Sequence, residues 1–152
     1  MTTGTLRTVS LALATGALAL AGVVGTATSA HATTTWNATD TQADVVGAWA
    51  HGSLDVEGNE TLSVDMTIKD TKADGASARA YIRWRYATGG FSGSAVLTVS
   101  GGNGSTKSAT YRNPRIELDS YQPFEIKECL VDNGWETECG GWDVPYPMNS
   151  GW

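Results

Sequence analysis

Two runs of strict alternation constrain this chain more than any other feature. In "ETLSVDMTIKD" (60–70), Leu62, Val64, Met66 and Ile68 fall on one side of an extended backbone, and Ser63, Asp65, Thr67 and Lys69 fall on the other. "ASARAYIRWRYAT" (76–88) repeats the pattern, with Ala78, Ala80, Ile82, Trp84 and Tyr86 against Ser77, Arg79, Tyr81, Arg83 and Arg85. Successive side chains of a strand point to opposite faces, so this period predicts strands with one face on a core and one in water. The turn residues "TKADG" (71–75) separate the two runs.

Other segments read the same way. "SAVLTVS" (94–100) lies between "TGGFSG" and "GGNGSTK", whose Gly, Ser and Asn residues adopt turn conformations at little steric cost. "ATYRNPRIEL" (109–118) is extended but interrupted by Pro114, which removes a ladder donor and belongs at an edge, a bulge or a strand start. "FEIKECLV" (124–131) and "WETECGGW" (135–142) close the sequence as a hairpin, and "DVVGAWAHGSLDVEG" (44–58) holds one or two strands with "EGNE" as a turn. About seven or eight short strands with frequent turns predict an all-β fold, an antiparallel sandwich of immunoglobulin-like or jelly-roll-like kind.

The first 32 residues are set apart from this pattern. Met1–Ser10 carries one cation, Arg7, and no acid; "LALATGALALAGVV" (11–24) is apolar; Ala30-His31-Ala32 places small residues at −3 and −1 of a cut before Thr33. A positive start, an apolar stretch and an A-x-A site form a secretory signal. The run is shorter than the roughly 20 apolar residues of a spanning helix. The expected organisation is therefore a leader, 1–32, and a single sandwich domain, 33–152, secreted to the outside and with no membrane attachment after cleavage. Removing 32 of 152 residues leaves 120, carrying 9 basic and 16 acidic residues. A net-negative chain without a basic run is a poor partner for nucleic acid or anionic lipid.

The only two cysteines, Cys129 and Cys139, flank Asn133-Gly134. A structural zinc site usually takes four N or S ligands, and after cleavage the chain offers these two and His51. A thioredoxin-like redox motif has two residues between its cysteines, and here nine intervene. An exported chain with an even cysteine count then points to a disulfide. Parity constrains how it closes. A two-residue Asn-Gly loop with a regular ladder would pair Cys129 with Glu138 and send Cys139 to the opposite face. Closure therefore requires a three-residue loop (Asp132–Gly134), a five-residue loop (Asp132–Glu136), or a bulge, expected near Gly140-Gly141.

"DTKADGASARAYIRW" followed by "CLVDNGWETECGGW" resembles a pattern in small secreted actinobacterial β-sandwich proteins of unassigned function. There, an Ala-Asp-Gly turn enters a strand and a final Cys…Gly-Trp…Cys-Gly-x-Trp hairpin closes the domain. The resemblance implies an extracellular β-sandwich with Cys129–Cys139 bonded and Trp135 and Trp142 beside the bond. It implies no activity.

Candidate ligand-binding residues come from two sources. Six tryptophans and five tyrosines supply flat apolar faces of the kind that stack on sugar rings. Alternation assigns Trp84 to the core, places Tyr81 on the opposite face, and leaves Trp135 and Trp142 in a turn-rich hairpin. Arg79, Arg83 and Arg85 line the same strand face as Tyr81. They are expected either to grip anionic glycans or a partner's carboxylates, or to pair with acids on neighbouring strands. Trp84-Arg85-Tyr86 also resembles the triplet that small secreted actinobacterial α-amylase inhibitors insert into the enzyme cleft, although those carry two disulfides and present it on a tight turn.

Acidic turns at 55–60 and 70–74 offer hard oxygen ligands of the kind calcium takes, without EF-hand spacing; no metal or other cofactor is assigned. His51 is the sole histidine after cleavage, and neither G-x-S-x-G nor H-E-x-x-H occurs. Among the 16 acids nothing singles out a pair for glycoside hydrolysis. The sequence thus predicts a non-enzymatic secreted binding protein whose partner is a cell-wall or environmental polysaccharide. The alternative is a protein-partner module, either an enzyme inhibitor or a surface-assembly protein.

Overall fold

A computed structural model of the chain describes residues 33–38, 45–58, 60–114 and 117–145. The expected leader and Trp152 lie outside these residues. Eight strands occur in chain order: β1 (Thr34–Asn37), β2 (Ala48–Glu57), β3 (Thr61–Asp70), β4 (Ser77–Trp84), β5 (Ala95–Val99), β6 (Thr106–Pro114), β7 (Phe124–Asp132) and β8 (Trp135–Cys139). They form two four-stranded antiparallel sheets, ordered β1-β2-β3-β6 and β5-β4-β7-β8.

The alternating runs become the centres of these sheets. Leu62, Val64, Met66 and Ile68 of β3 are fully buried, and Ala78, Ala80, Ile82 and Trp84 of β4 face them in the same core. Burying a side chain the size of Leu, Ile or Met contributes about 1.5–3 kcal/mol, so these two faces supply a substantial part of the driving force. Phe124 of β7 joins the layers: its ring meets Trp36 edge-on at 5.6 Å and Trp84 at 6.3 Å. The alanines of β4 lie between larger residues, the interdigitation that a close-packed interior requires.

β2 contributes Ala48, Ala50 and Leu54 to the core, with Gly52 between them. Gly52 pairs with Trp36 of β1 and Met66 of β3. A Cβ at this position would lie 1.8 Å from the Asp65 carbonyl oxygen and 3.0 Å from Cζ2 of Trp36. The missing side chain is what allows the β1 indole to lie over the sheet.

One core-facing position of β7 is not apolar. Glu128 is 2% exposed, and its carboxylate accepts the backbone N–H of Ala50. Ala50 is one residue beyond the last β1–β2 pair, Asn37 with His51. A side chain of the second sheet thus takes a donor of the first where β1 stops, which offsets part of the cost of burying a carboxylate.

The terminal hairpin settles the parity question. Asn133 (φ 50°) and Gly134 (φ 86°) form a two-residue loop with both residues in the positive-φ region, the type I′ geometry that Asn-Gly favours. Asp132 pairs with Trp135 and Val131 with Glu136, but Leu130 then pairs with Glu138. Thr137 is the extra residue of a bulge. This one-residue slip brings Cys139 opposite Cys129, with their Cα atoms 4.1 Å apart and the disulfide formed. The bulge sits inside β8 and not at Gly140-Gly141, and the loop is neither of the longer alternatives. The Asn-Gly dipeptide favours the tight turn, and a bulge in an edge strand restores the face without lengthening it.

Two stability tests follow. Gly52→Ala should lower the unfolding free energy by about 3 kcal/mol or prevent folding, because the new Cβ meets a neighbouring strand's backbone. Closing the eleven-residue ring between Cys129 and Cys139 should contribute about 2.8 kcal/mol. Urea denaturation of residues 33–152 with and without reductant should show a shift of that size.

Candidate binding face

The outer face of the β5-β4-β7-β8 sheet gathers most of the sequence-predicted ligand residues. β4 turns Arg79, Tyr81 and Arg83 outward. The register sets Arg79 between Thr98 of β5 and Cys129 of β7, Tyr81 between Val96 and Lys127, and Arg83 against Glu125. Past the end of β4, Arg85 pairs with Phe91 of the β4–β5 connection. Beyond β8, Asp143 bridges to Ile126, which places Trp142 at the side of the same sheet.

These side chains are already engaged with one another. Arg83 donates through Nε (2.7 Å) and Nη2 (2.5 Å) to one oxygen of Glu125, a carboxylate whose side chain is 7% exposed. Its guanidinium carbon lies 3.7 Å from the centroid of Phe91 and 3.9 Å from that of Trp142. One cation therefore ties two aromatic rings that are 51 residues apart in sequence. Lys127 Nζ lies 4.6 Å from the Tyr81 ring and 5.4 Å from the Trp142 ring. Arg79 donates to Thr98 Oγ1 at 2.9 Å and forms an ion pair with Glu136 at 3.1 Å. The Tyr81 hydroxyl donates to the same Glu136 oxygen. Arg85 lies 3.6 Å from Asp119 and donates to Gln122.

Of the two expectations for the arginine ladder, the structure realises cross-strand pairing. Glu125, Glu136 and Asp119 provide the partners, and none of them was singled out in the sequence. Phe91 and Lys127 likewise join the face without being among the sequence-predicted residues. Phe91 carried a readable signal, as a lone aromatic within the turn-forming "TGGFSG". Lys127 and the acids carried none, since their role depends on register between strands far apart in the chain.

Trp135 is not part of this face. It is 78% exposed at the hairpin tip, but its pairing with Asp132 sends it to the opposite side of the ribbon from Glu136. Trp142 is half-buried on the face itself. Trp84 is only 9% exposed and packs on Phe124, while the strand ends there and Arg85 and Tyr86 make isolated bridges. The Trp84-Arg85-Tyr86 triplet is thus split between core and surface and cannot enter a cleft as a unit. Tyr86 instead lines a shallow open depression with Ala87, Thr88 and Glu117.

Three carboxylates of the acidic turns are tied to donors of the chain itself. Glu57 pairs with Arg112 at 2.9 Å, and Asp74 with Lys72 at 3.3 Å. Asp70 Oδ1 accepts the Lys72 N–H at 3.1 Å. On the outer face of the other sheet, His51 stacks on Trp49 with ring centroids 4.0 Å apart, and Asn37 accepts the Trp49 indole N–H at 2.8 Å. Burial holds the His51 pKa below its ordinary value.

No family model, curated protein or solved structure matches this chain.

The Tyr81–Glu136–Arg79 link has a pH signature. The Tyr81 hydroxyl, helped by Arg79, holds the Glu136 carboxyl below its ordinary value, and Glu136 pushes the Tyr81 phenol up. A depressed carboxyl contributes stability above its unfolded pKa, lost as pH falls through the folded one. A raised phenol contributes below its unfolded pKa and loses it as pH rises through the folded one. Tyr81→Phe should therefore cost about 0.5–1 kcal/mol near neutrality, a modest value because solvent reaches the pair. That difference from the parent should vanish towards both acid and alkaline extremes, as read from denaturation midpoints across pH.

Proposed function

We propose that the protein acts outside the cell by binding a polysaccharide on the outer face of the β5-β4-β7-β8 sheet, without turning it over. The observation that carries this reading is the fixed group of Phe91, Arg83, Trp142 and Glu125. Two aromatic rings and a donor–acceptor pair are held on one sheet face by contacts of 3.7, 3.9 and 2.5 Å. Sugar rings offer apolar faces to aromatics and a rim of hydroxyls to planar polar groups. Side chains already locked by packing lose little entropy on binding, which favours affinity.

The shape of the group supports an extended ligand. From Arg79 to the bridge at Arg85 the extended chain rises six residues, roughly 20 Å, and Tyr81, Trp142 and Phe91 are distributed along that line. A row of that length suits an oligomer better than a compact metabolite. The export expected from the sequence, with which the disulfide is compatible, supports a ligand met outside the cell.

A protein partner is the second reading, and Trp135 is the observation that favours it. A tryptophan 78% exposed on a disulfide-locked turn has the form of an interface anchor. The two readings separate by substitution. On titration with a panel of soluble and insoluble glycans, followed by tryptophan fluorescence and depletion, Trp142→Ala should weaken binding by up to about tenfold and Trp135→Ala should leave it unchanged. No response across the panel, together with amylase or protease inhibition abolished by Trp135→Ala, would transfer the function to the hairpin tip.

A further inference from the structure

Resting on the polysaccharide reading, we infer that the ligand is uncharged, because each arginine of the face already has a carboxylate partner.

Arg79 is held by Glu136 at 3.1 Å, Arg83 by Glu125 at 2.5 Å, and Arg85 by Asp119 at 3.6 Å with Glu125 at 4.0 Å. The remaining cation, Lys127, lies over the Tyr81 and Trp142 rings. An anionic glycan would have to displace one of these acids or sit beside it. Displacing Glu125 would strip the partner from a nearly buried carboxylate, which is costly. Sitting beside Glu136 or Asp119 would set like charges together. The whole chain also carries a net charge of −6, which repels a polyanion at long range.

An uncharged sugar meets none of these penalties. A hydroxyl is both donor and acceptor, and a guanidinium–carboxylate pair presents both functions side by side. The spare N–H groups of Arg79 and Arg83 and the partly exposed carboxylate of Glu136 can bind adjacent hydroxyls while the pairs stay intact. Each ion pair also polarises the hydrogen bonds it makes, which strengthens them. The arginines are then planar hydrogen-bond donors fixed in place, not anion traps.

The test uses the purified, oxidised mature domain. Depletion by cellulose and chitin, and affinity electrophoresis in soluble uncharged glucans, polygalacturonate and heparin, are run at low and high salt. Retention on at least one uncharged polysaccharide, insensitive to salt, and none on the polyanions is the expected result. Glu136→Gln keeps the side-chain shape but frees Arg79, and should give measurable polyanion retention at low salt where the parent shows none, with that retention lost at high salt. Parent protein held by polyanions and released by salt would overturn the uncharged assignment while leaving polysaccharide binding intact. A Glu136→Gln variant that is folded, disulfide-bonded and still indifferent to polyanions would also overturn it. Retention on neither class would sink the binding reading and this inference with it.

Discussion

A strand can send each side chain to only one of two faces, and this molecule depends on that binary choice being kept through eight strands. A slip of one residue anywhere in β3 or β4 would exchange Met66 for Asp65, or Ile82 for Arg83, across the core boundary. The same rule governs the disulfide. A tight Asn133-Gly134 turn puts the two cysteines on opposite faces, and the bulge at Thr137 puts them back on one. At Glu128, one of the places where the rule is broken, a specific polar partner waits on the opposite sheet.

The same economy appears at the sheet edges, where unpaired backbone groups invite aggregation. β1 and β5 are short, with four and five residues. β6 is nine residues long but carries Lys107 and Arg112 and ends in Pro114. β8 is bulged and displays Glu136 and Glu138. The Thr137 bulge therefore serves twice, since it closes the disulfide ring and disrupts an edge that a second chain could otherwise extend.

Much of the fold was legible because its information is local. Alternation at 61–70 and 77–84 located the two central strands and their buried faces, including Trp84. Pro114, expected at an edge, a bulge or a strand start, ends the edge strand β6, and the cysteine pair marked a bonded hairpin. β1 was not legible: "TTWN" is too short to show a period, and its role depends on Gly52 leaving room for Trp36. The end of β4 is not legible either, because the alternating pattern runs on through Arg85 and Tyr86 after the ladder stops at Trp84. The candidate face was half legible. Arg79, Tyr81, Arg83 and Arg85 could be read off one strand, but Glu125, Lys127 and Glu136 acquire meaning only when β7 and β8 are set beside it. Pairing between distant strands cancels the positive charge that the strand alone advertises.

That cancellation also explains how the face is held together. Trp142 lies in an irregular segment after β8, where nothing local would fix an indole. Cys139 is bonded to Cys129, the Gly140 N–H donates to the Glu128 carbonyl at 3.0 Å, and Asp143 exchanges two backbone hydrogen bonds with Ile126. The segment is thereby stitched along β7 from the disulfide to the bridge, with Trp142 between the last two stitches. Arg83 then reaches Trp142 from one side and Phe91 from the other while Glu125 holds its guanidinium in position. A loop before β5 and a tail after β8 become one surface through a single arginine of β4. Without a partner acid, that guanidinium would be free to swing towards solvent, and the two rings would lose the group that joins them. Charge compensation and rigidity of the aromatic face are therefore two results of the same Arg83–Glu125 pair.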